Sequence, residues 1–258
     1  MKNKEFATIV MIPGGPGLSA QTMRKLSSLE THFNLVFYDP PGTGGRPEPK
    51  QNDYRCMIED LSNVTADLSG PIILCGHSFG GIVAADLFLR EKSRFVALIC
   101  LSTPFSSAAF KSASQQYEKF QTTELTEATM QFESKPSNDS FRNWLSCYGD
   151  LYFSEKNKTA GKDLLLNDQV SVSAFQTARA DALLAEPLLA KLKQDSRPKY
   201  FLSGLEDKLI LPNVAKNESE LGGFEFFGIP QSSHFLQFER PDEIYKIIKN
   251  LNFKQMEG

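Results

Sequence analysis

The sequence predicts an α/β protein whose core is a sheet of about six mostly parallel strands flanked by helices. Short runs of β-branched and aromatic residues alternate with helix-length amphipathic segments, which is the pattern of successive β-α-β units. One long helical stretch interrupts this alternation after the fourth strand. The predicted strands are Phe6–Ile12, Phe33–Tyr38, Ile72–Cys75, Phe95–Leu101, Lys199–Ser203 and Phe224–Ile229.

Two helices are predicted from their apolar stripes. The first lies between the second and third strands. The second follows the last strand, where Pro241 opens it and acidic residues occupy its first turn. The residues predicted to face the core are Met57, Leu61, Val64 and Leu68 in the first, and Ile244, Ile247, Ile248 and Leu251 in the second.

Residues 105–192 show no strand pattern. This segment is helical in pattern, rich in aromatic residues and interrupted by polar turns, and it is too long for a plain loop between strands. We therefore expect a helical cap at 105–192, with residues 1–104 and 193–258 forming the core domain. Its aromatic residues are Phe110, Tyr117, Phe120, Phe132, Phe141, Trp144, Tyr148, Tyr152 and Phe153.

Composition argues against several classes of function. The chain has 258 residues and a formal net charge of −3, which indicates no basic face for nucleic acid. No apolar run approaches a membrane span, and the N-terminal apolar stretch is too short for a signal peptide. The four cysteines form no cluster with metal-ligand spacing. We expect a cytoplasmic protein with a small-molecule or short-peptide substrate, no metal and no cofactor. The sequence is silent on its oligomeric state.

A G-x-S-x-G turn joins the third predicted strand to the helix that follows it. The turn runs from Gly76 to Gly80, with Ser78 at its centre. In such a turn the serine has a strained backbone conformation, and the glycines let strand and helix pass close together. The hydroxyl then lies at the carboxyl edge of the sheet, at a helix N-terminus whose dipole favours negative charge. Ser78 is the predicted nucleophile.

A serine is a weak nucleophile until a base takes its proton. The chain has three histidines. His77 adjoins Ser78 along the backbone and is expected to point away from it. His32 precedes a strand and is expected at the opposite edge of the sheet, whereas His234 follows the last strand. By elimination, His234 is the predicted base.

The base needs a carboxylate that fixes its tautomer and stabilises its charged form. In this arrangement the acid lies on a loop after a strand, ahead of the histidine along the chain. The loop after the fifth predicted strand offers Glu206 and Asp207. Asp207 is the preferred acid and Glu206 the alternative.

Acyl transfer also needs N–H donors for the oxyanion. One is expected to be the backbone N–H of Phe79, directly after the nucleophile, and the other to come from the loop after the first strand. That loop is rich in glycine and proline, and Gly15 offers an N–H where Pro13 and Pro16 cannot.

Taken together, these residues resemble the α/β-hydrolase superfamily along nearly the whole chain, and most of all its proline-iminopeptidase branch. That branch has His-Gly-Gly-Pro-Gly after an early strand, where this chain has Pro13 to Gly17. Its D-x-x-G-x-G-x-S segment matches Asp39 to Arg46, and its G-x-S-x-G-G turn matches Gly76 to Gly81. The resemblance implies an α/β-hydrolase fold and assigns Gly15 and Phe79 as oxyanion donors.

Two further motifs of the superfamily are present in the second half of the chain. The G-x-x-D acid loop matches Gly204 to Asp207, and the histidine followed by a Glu-x-Pro helix start matches His234 and Glu239 to Pro241. The chain departs from the branch at Pro13, where the branch has histidine, and at Arg46, where it has serine. The leading antiparallel hairpin of the superfamily is also expected to be absent.

The resemblance implies hydrolysis through an acyl-enzyme. An ester, thioester or amide hydrolase with small apolar substrates is the first hypothesis, because an aromatic cap supplies an apolar pocket. An aminopeptidase is the second hypothesis, because it needs carboxylates that face the pocket. The cap offers Glu118, Glu124, Glu127, Glu133 and Glu155, but each of them is better interpreted as a solvated charge on a helix surface. A lyase or C–C hydrolase, or a non-catalytic binding protein on the same fold, stays open.

Overall fold

The computed structural model describes residues 6–183 and 188–253. Within them, six strands form one sheet in which every neighbouring pair is parallel. All six predicted strands are confirmed. They are β1 (Thr8–Ile12), β2 (Asn34–Phe37), β3 (Ile72–His77), β4 (Phe95–Leu101), β5 (Lys199–Gly204) and β6 (Glu225–Ile229).

The strand order is β2-β1-β3-β4-β5-β6. The chain runs from β1 outward to β2, returns past β1, and then proceeds in the other direction from β3 to β6. The order thus reverses between β1 and β3, and in open parallel sheets a crevice forms at such a point outside the carboxyl ends of the strands. The Gly-rich loop after β1 and the serine turn after β3 meet there.

Side chains alternate between two buried faces along the strands. In β1, Val10 and Ile12 belong to one apolar cluster, whereas Ile9 and Met11 belong to the other. Because both faces are covered, β1 is apolar throughout instead of alternating between apolar and polar residues.

Helices cover both faces of the sheet, and none in the described part of the chain is long and apolar enough to cross a bilayer. A 3₁₀ helix lies at Ala20–Thr31. The α-helices are α1 (Tyr54–Ala66), α2 (Phe79–Arg90), α3 (Ser107–Lys119), α4 (Thr123–Ser134), α5 (Asn138–Cys147), α6 (Gly149–Tyr152), α7 (Lys158–Leu166), α8 (Val172–Leu183), α9 (Leu188–Gln194), α10 (Pro212–Gly222), α11 (Leu236–Glu239) and α12 (Pro241–Ile248).

Both helices predicted from apolar stripes are confirmed. The Asp53 side chain caps α1 by accepting the Cys56 N–H at 2.8 Å. The predicted stripe extends too far, because α1 ends at Ala66 and Leu68 lies beyond it. Helix α12 begins at Pro241 as expected, with Ile244 and Ile248 buried and Ile247 half-buried. Its predicted stripe also extends too far, because α12 ends at Ile248 and Leu251 lies beyond it.

Helices α3 to α9 lie between β4 and β5, and the described residues of this insertion contain no strand. Glu218 of α10 holds the first residues of the insertion, because its buried carboxylate accepts the N–H of Phe105 at 2.6 Å and that of Ser106 at 2.8 Å. The Ser106 hydroxyl, which also caps α3, donates to the same carboxylate at 2.6 Å. At its other end, α9 packs against α2 and α10.

Arg46 has a structural explanation. Its guanidinium donates to the Asp39 carbonyl at 2.6 Å and to both carboxylate oxygens of Asp60, at 2.7 and 2.8 Å. Asp60 also accepts the Tyr38 hydroxyl at 2.9 Å. Arg46, which stands where the branch has serine, therefore joins the loop after β2 to α1.

Candidate active site

Ser78 lies between β3 and α2 with φ +49° and ψ −120°. These angles are uncommon for a residue with a side chain, and they turn the chain sharply from strand to helix. Its N–H donates to the Leu101 carbonyl of the neighbouring strand β4 at 2.8 Å. The strained turn that the sequence predicts is therefore present, and it places Ser78 at the N-terminus of α2.

The glycines around Ser78 are required by close backbone approach. A Cβ atom on Gly76 would lie 2.3 Å from the Gly80 carbonyl oxygen, and one on Gly80 would lie 2.1 Å from the Pro13 carbonyl oxygen. Both distances are far shorter than a carbon–oxygen contact allows. Gly76 therefore lets β3 and α2 pass close together, and Gly80 lets the turn after β3 touch the loop after β1.

A cavity of about 320 Å³ opens beside Ser78. Four of the predicted site residues, Gly15, Ser78, Phe79 and His234, line it. They come from the loops after β1, β3 and β6, whose ends meet at the carboxyl edge of the sheet. The structure thus brings together residues that are as far apart along the chain as positions 15 and 234.

The fifth predicted residue, Asp207, lies behind His234. Asp207 Oδ2 is 3.0 Å from His234 Nδ1, and both side chains are buried. Asp207 Oδ1 accepts the N–H groups of Leu209 and Ile210, each at 2.9 Å. Glu206 is exposed. Of the two candidate acids, Asp207 is the one that contacts the histidine.

His77 is a residue of the site whose role the sequence did not reveal. It is one of the residues that line the cavity, and its Nε2 lies 2.9 Å from the His234 carbonyl oxygen. A carbonyl only accepts, so Nε2 carries the proton and donates. Burial, with the neighbouring His234 as a second cause, holds the pKa of His77 well below its ordinary value, so the ring is neutral.

The backbone of His234 is held on its other side as well. Its N–H donates to the Tyr152 carbonyl at 3.0 Å, and Tyr152 belongs to the helical insertion. The third histidine, His32, is exposed and contacts Tyr245 at the surface. His32 is not among the residues that line the cavity.

The two predicted oxyanion donors belong to the loop after β1 and to the start of α2. Phe79 is the first residue of α2, where the helix dipole places partial positive charge. Gly15 has φ +115°, a conformation that residues with side chains rarely adopt. Both residues line the cavity with Ser78.

The helical insertion provides most of the apolar wall. Among the described lining residues Glu118 is the one carboxylate, and none is lysine or arginine. Glu118 is exposed, as are the other four glutamates considered from the sequence. The lining residues of the insertion with large apolar side chains are Phe110, Tyr117, Phe141, Trp144, Leu145, Tyr148, Tyr152, Leu165 and Phe175. The described residues include no group of three or more His, Cys, Asp or Glu side chains placed to hold a metal ion.

Comparison with known sequences places this arrangement in a family. The model of the alpha/beta hydrolase family matches residues 9–247. A pimeloyl-[acyl-carrier protein] methyl ester esterase of Nitrosospira multiformis is 26% identical over 235 residues, which cover 87% of this chain and 85% of that protein. A protein of Agrobacterium fabrum assigned by name as carbamate hydrolase RutD is 30% identical over 107 residues, which are 40% of this chain and only 41% of that protein.

Solved structures share the fold. An esterase from Thermogutta terrifontis superposes with a TM-score of 0.73 at 18% identity, covering 95% of this chain and 88% of its own. A proline iminopeptidase from Mycobacterium smegmatis superposes with a TM-score of 0.68 at 16% identity, covering 94% and 88%. At these identities the likeness concerns the fold alone. Since the family model extends over most of the sequence and the fold agrees with it, the chain belongs to the alpha/beta hydrolase family.

Proposed function

We propose that this protein is a serine hydrolase that cleaves a small, uncharged ester, thioester or amide through an acyl-enzyme. One observation carries the proposal: Ser78 and His234 line the same cavity, and His234 Nδ1 lies 3.0 Å from Asp207 Oδ2. A nucleophile, a base and an orienting acid are the groups that this chemistry requires.

In the proposed mechanism, Ser78 Oγ attacks the substrate carbonyl while His234 Nε2 takes its proton. The same imidazolium then gives that proton to the leaving group, which departs as an alcohol, thiol or amine. Asp207 accepts the Nδ1–H of His234, which fixes the tautomer and stabilises the positive charge. Water, activated by His234, attacks the acyl-enzyme, and Ser78 leaves with its proton restored.

The N–H groups of Gly15 and Phe79 would stabilise the negative oxygen of the tetrahedral intermediate. The positions of the two residues support this role, since both line the same cavity as Ser78 and Phe79 is the first residue of α2. Donors fixed in the protein need no reorganisation as the charge develops, so they lower the barrier more than water would.

The wall of the cavity supports a substrate with an uncharged, apolar acyl group. Large aromatic and aliphatic side chains surround the space, and no described lining residue is a cation that could pair with an anionic acyl group. The relative from Nitrosospira multiformis is named a methyl ester esterase, which supports ester cleavage. We propose that the insertion acts as the cap predicted for residues 105–192 and determines acyl specificity.

An aminopeptidase is the second candidate, favoured by one observation. Glu118 lines the cavity and could pair with the free α-amino group of a peptide. The structural likeness to a proline iminopeptidase agrees with this reading at the level of the fold. The exposure of Glu118 weakens it, because an exposed ion pair contributes little binding free energy.

A panel of short p-nitrophenyl esters and of proline or alanine arylamides separates the candidates. We expect wild-type protein to hydrolyse the esters, Glu118→Gln to retain that activity, and Ser78→Ala to lose it. Arylamide cleavage that exceeds ester cleavage and disappears in Glu118→Gln would establish the aminopeptidase instead. No turnover on either class would contradict the proposal and favour a lyase, a C–C hydrolase or a binding protein.

We also propose a reducing, cytoplasmic location. The four cysteines are free in the structure. Proteins of oxidising compartments tend to pair their cysteines as disulfides, so four free thiols support a location in a reducing compartment.

A further inference from the structure

Glu239, the last residue of α11, joins the loop that carries His234 to the helical insertion. On the loop side, its Oε2 accepts the N–H of Ser233 at 2.5 Å. On the insertion side, its Oε1 accepts the N–H of Ser154 at 2.7 Å, the hydroxyl of the same residue at 2.5 Å, and the Asn157 side-chain amide at 3.3 Å.

The chemistry of this junction requires a carboxylate. The groups bonded to the Glu239 carboxylate are all N–H or O–H donors, and an ionised carboxylate is a pure acceptor with two oxygens. A glutamine would present an NH₂ group to one of the two sides and lose the bonds there. An aspartate is one methylene shorter and could not reach both sides from the same backbone position.

A second contact joins the same two segments. The N–H groups of His234 and Phe235 both donate to the Tyr152 carbonyl, at 3.0 and 3.4 Å. Residues 152–154 of the insertion are therefore joined to residues 233–235 directly, through the Tyr152 carbonyl, and indirectly, through the Glu239 carboxylate. Tyr152 also lines the cavity, so the segment that holds the loop borders the space where the substrate would bind.

We propose that Glu239 is a positioning residue for His234, which locks the histidine loop onto residues 152–154 of the insertion. This inference rests on the proposed function, since it presumes that His234 is the base. It adds a role for the insertion, which orients the catalytic histidine besides forming the wall of the pocket. Moving residues 152–154 relative to the histidine loop would displace the imidazole from Ser78, whereas the start of the insertion at residues 105 and 106 is held separately by Glu218.

The test compares Glu239→Gln with Glu218→Gln, measured for kcat and KM on the best ester of the panel. Glu218 is a matched control, because its carboxylate also holds backbone N–H groups of the insertion but contacts no residue of the histidine loop. We expect kcat to fall about 10- to 100-fold in Glu239→Gln with KM little changed, since small misplacements of a catalytic group have effects of this size. Glu218→Gln should keep the wild-type kcat.

Thermal unfolding of both variants separates positioning from stability. A merely structural role for Glu239 would lower the unfolding temperature and leave kcat of the folded fraction unchanged, and that result would overturn the proposal. Equal kcat losses in the two variants, or a rise in KM alone, would also overturn it.

If Glu239→Gln does not fold, the double variant Ser154→Ala/Asn157→Ala replaces it. This variant removes two donors on the insertion side and leaves the Glu239–Ser233 bond intact. A several-fold lower kcat at constant KM supports the proposal, and an unchanged kcat overturns it. Ser78→Ala keeps the two claims apart: if it abolishes turnover while Glu239→Gln matches wild type, only the positioning role fails.

Discussion

The two sides of the candidate site are held in different ways. Ser78 is fixed by a turn of five residues, Gly76–Gly80, in which the glycines and the strained serine are neighbours in sequence. His234 is fixed by residues far along the chain, with Asp207 on its imidazole and Tyr152 on its backbone. The proposed nucleophile is therefore defined by local structure, whereas the proposed base depends on tertiary structure.

This difference predicts two kinds of response to substitution. Changes at the glycines of the serine turn should act through the backbone and reduce stability, because the turn is part of the sheet–helix junction. Changes on the histidine side should act through orientation and reduce turnover in a protein that remains folded.

The largest effect is expected from Asp207→Asn. The amide would present its NH₂ to the histidine or force the wrong tautomer, and kcat should fall on the order of 10⁴-fold. The matched control is Glu206→Gln in the adjacent, exposed position, which should keep wild-type turnover. Steady-state kinetics on one ester would measure both, and the reverse result would transfer the acid role to Glu206.

The next effect concerns the stability of the serine turn. In Gly80→Ala the new methyl group would lie 2.1 Å from the Pro13 carbonyl oxygen, so we expect the free energy of unfolding to decrease by about 3 kcal/mol or more. Gly70→Ala is the control. It has φ +77° but no atom within 4 Å of the new methyl group, and should cost only about 1 kcal/mol. Urea unfolding measures both variants. Equal decreases in the free energy of unfolding would show that close contact with the Pro13 carbonyl does not determine the need for glycine at position 80.

The smallest effect is a pH dependence of stability that comes from His77. The folded protein keeps this ring neutral, because burial depresses its pKa, while the unfolded chain takes up a proton below about pH 6.5. Stability is therefore full above the unfolded pKa and decreases as the pH falls, by up to about 1.4 kcal/mol per pH unit. The slope should be smaller in His77→Gln and unchanged in the exposed control His32→Gln. Equal slopes in wild type and His77→Gln would contradict the buried, neutral state.

Much of the fold followed from the sequence, because parallel strands buried on both faces are recognisable as short apolar runs. The serine turn was equally predictable, since the glycines that its geometry requires lie within the five consecutive residues from Gly76 to Gly80. The 3₁₀ helix at Ala20–Thr31 was not predicted. Its buried residues Ala20, Met23, Leu26 and Leu29 recur every three residues, which is the period of a 3₁₀ helix and not the 3.6 of an α-helix.

The histidine side was only partly predictable. The sequence favours Asp207 over Glu206 through its G-x-x-D match, but only the folded loop shows that Asp207 turns inward, where Leu209 and Ile210 donate to it. The position of His77 next to Ser78 in the sequence gives no information about its hydrogen-bond partner, the His234 carbonyl, which lies 157 residues away. Glu239 was recognised as part of a motif, but its bonds to the insertion depend on tertiary contacts.

Labelling with a fluorophosphonate probe, followed by mass spectrometry of the modified peptide, tests the central claim most directly. We expect one adduct per chain, on the peptide that contains Ser78, and no labelling of Ser78→Ala. His234→Ala should react much more slowly, because the serine then lacks its base. Equal labelling of wild type and Ser78→Ala, or labelling of neither, would contradict the assignment of Ser78 as the nucleophile.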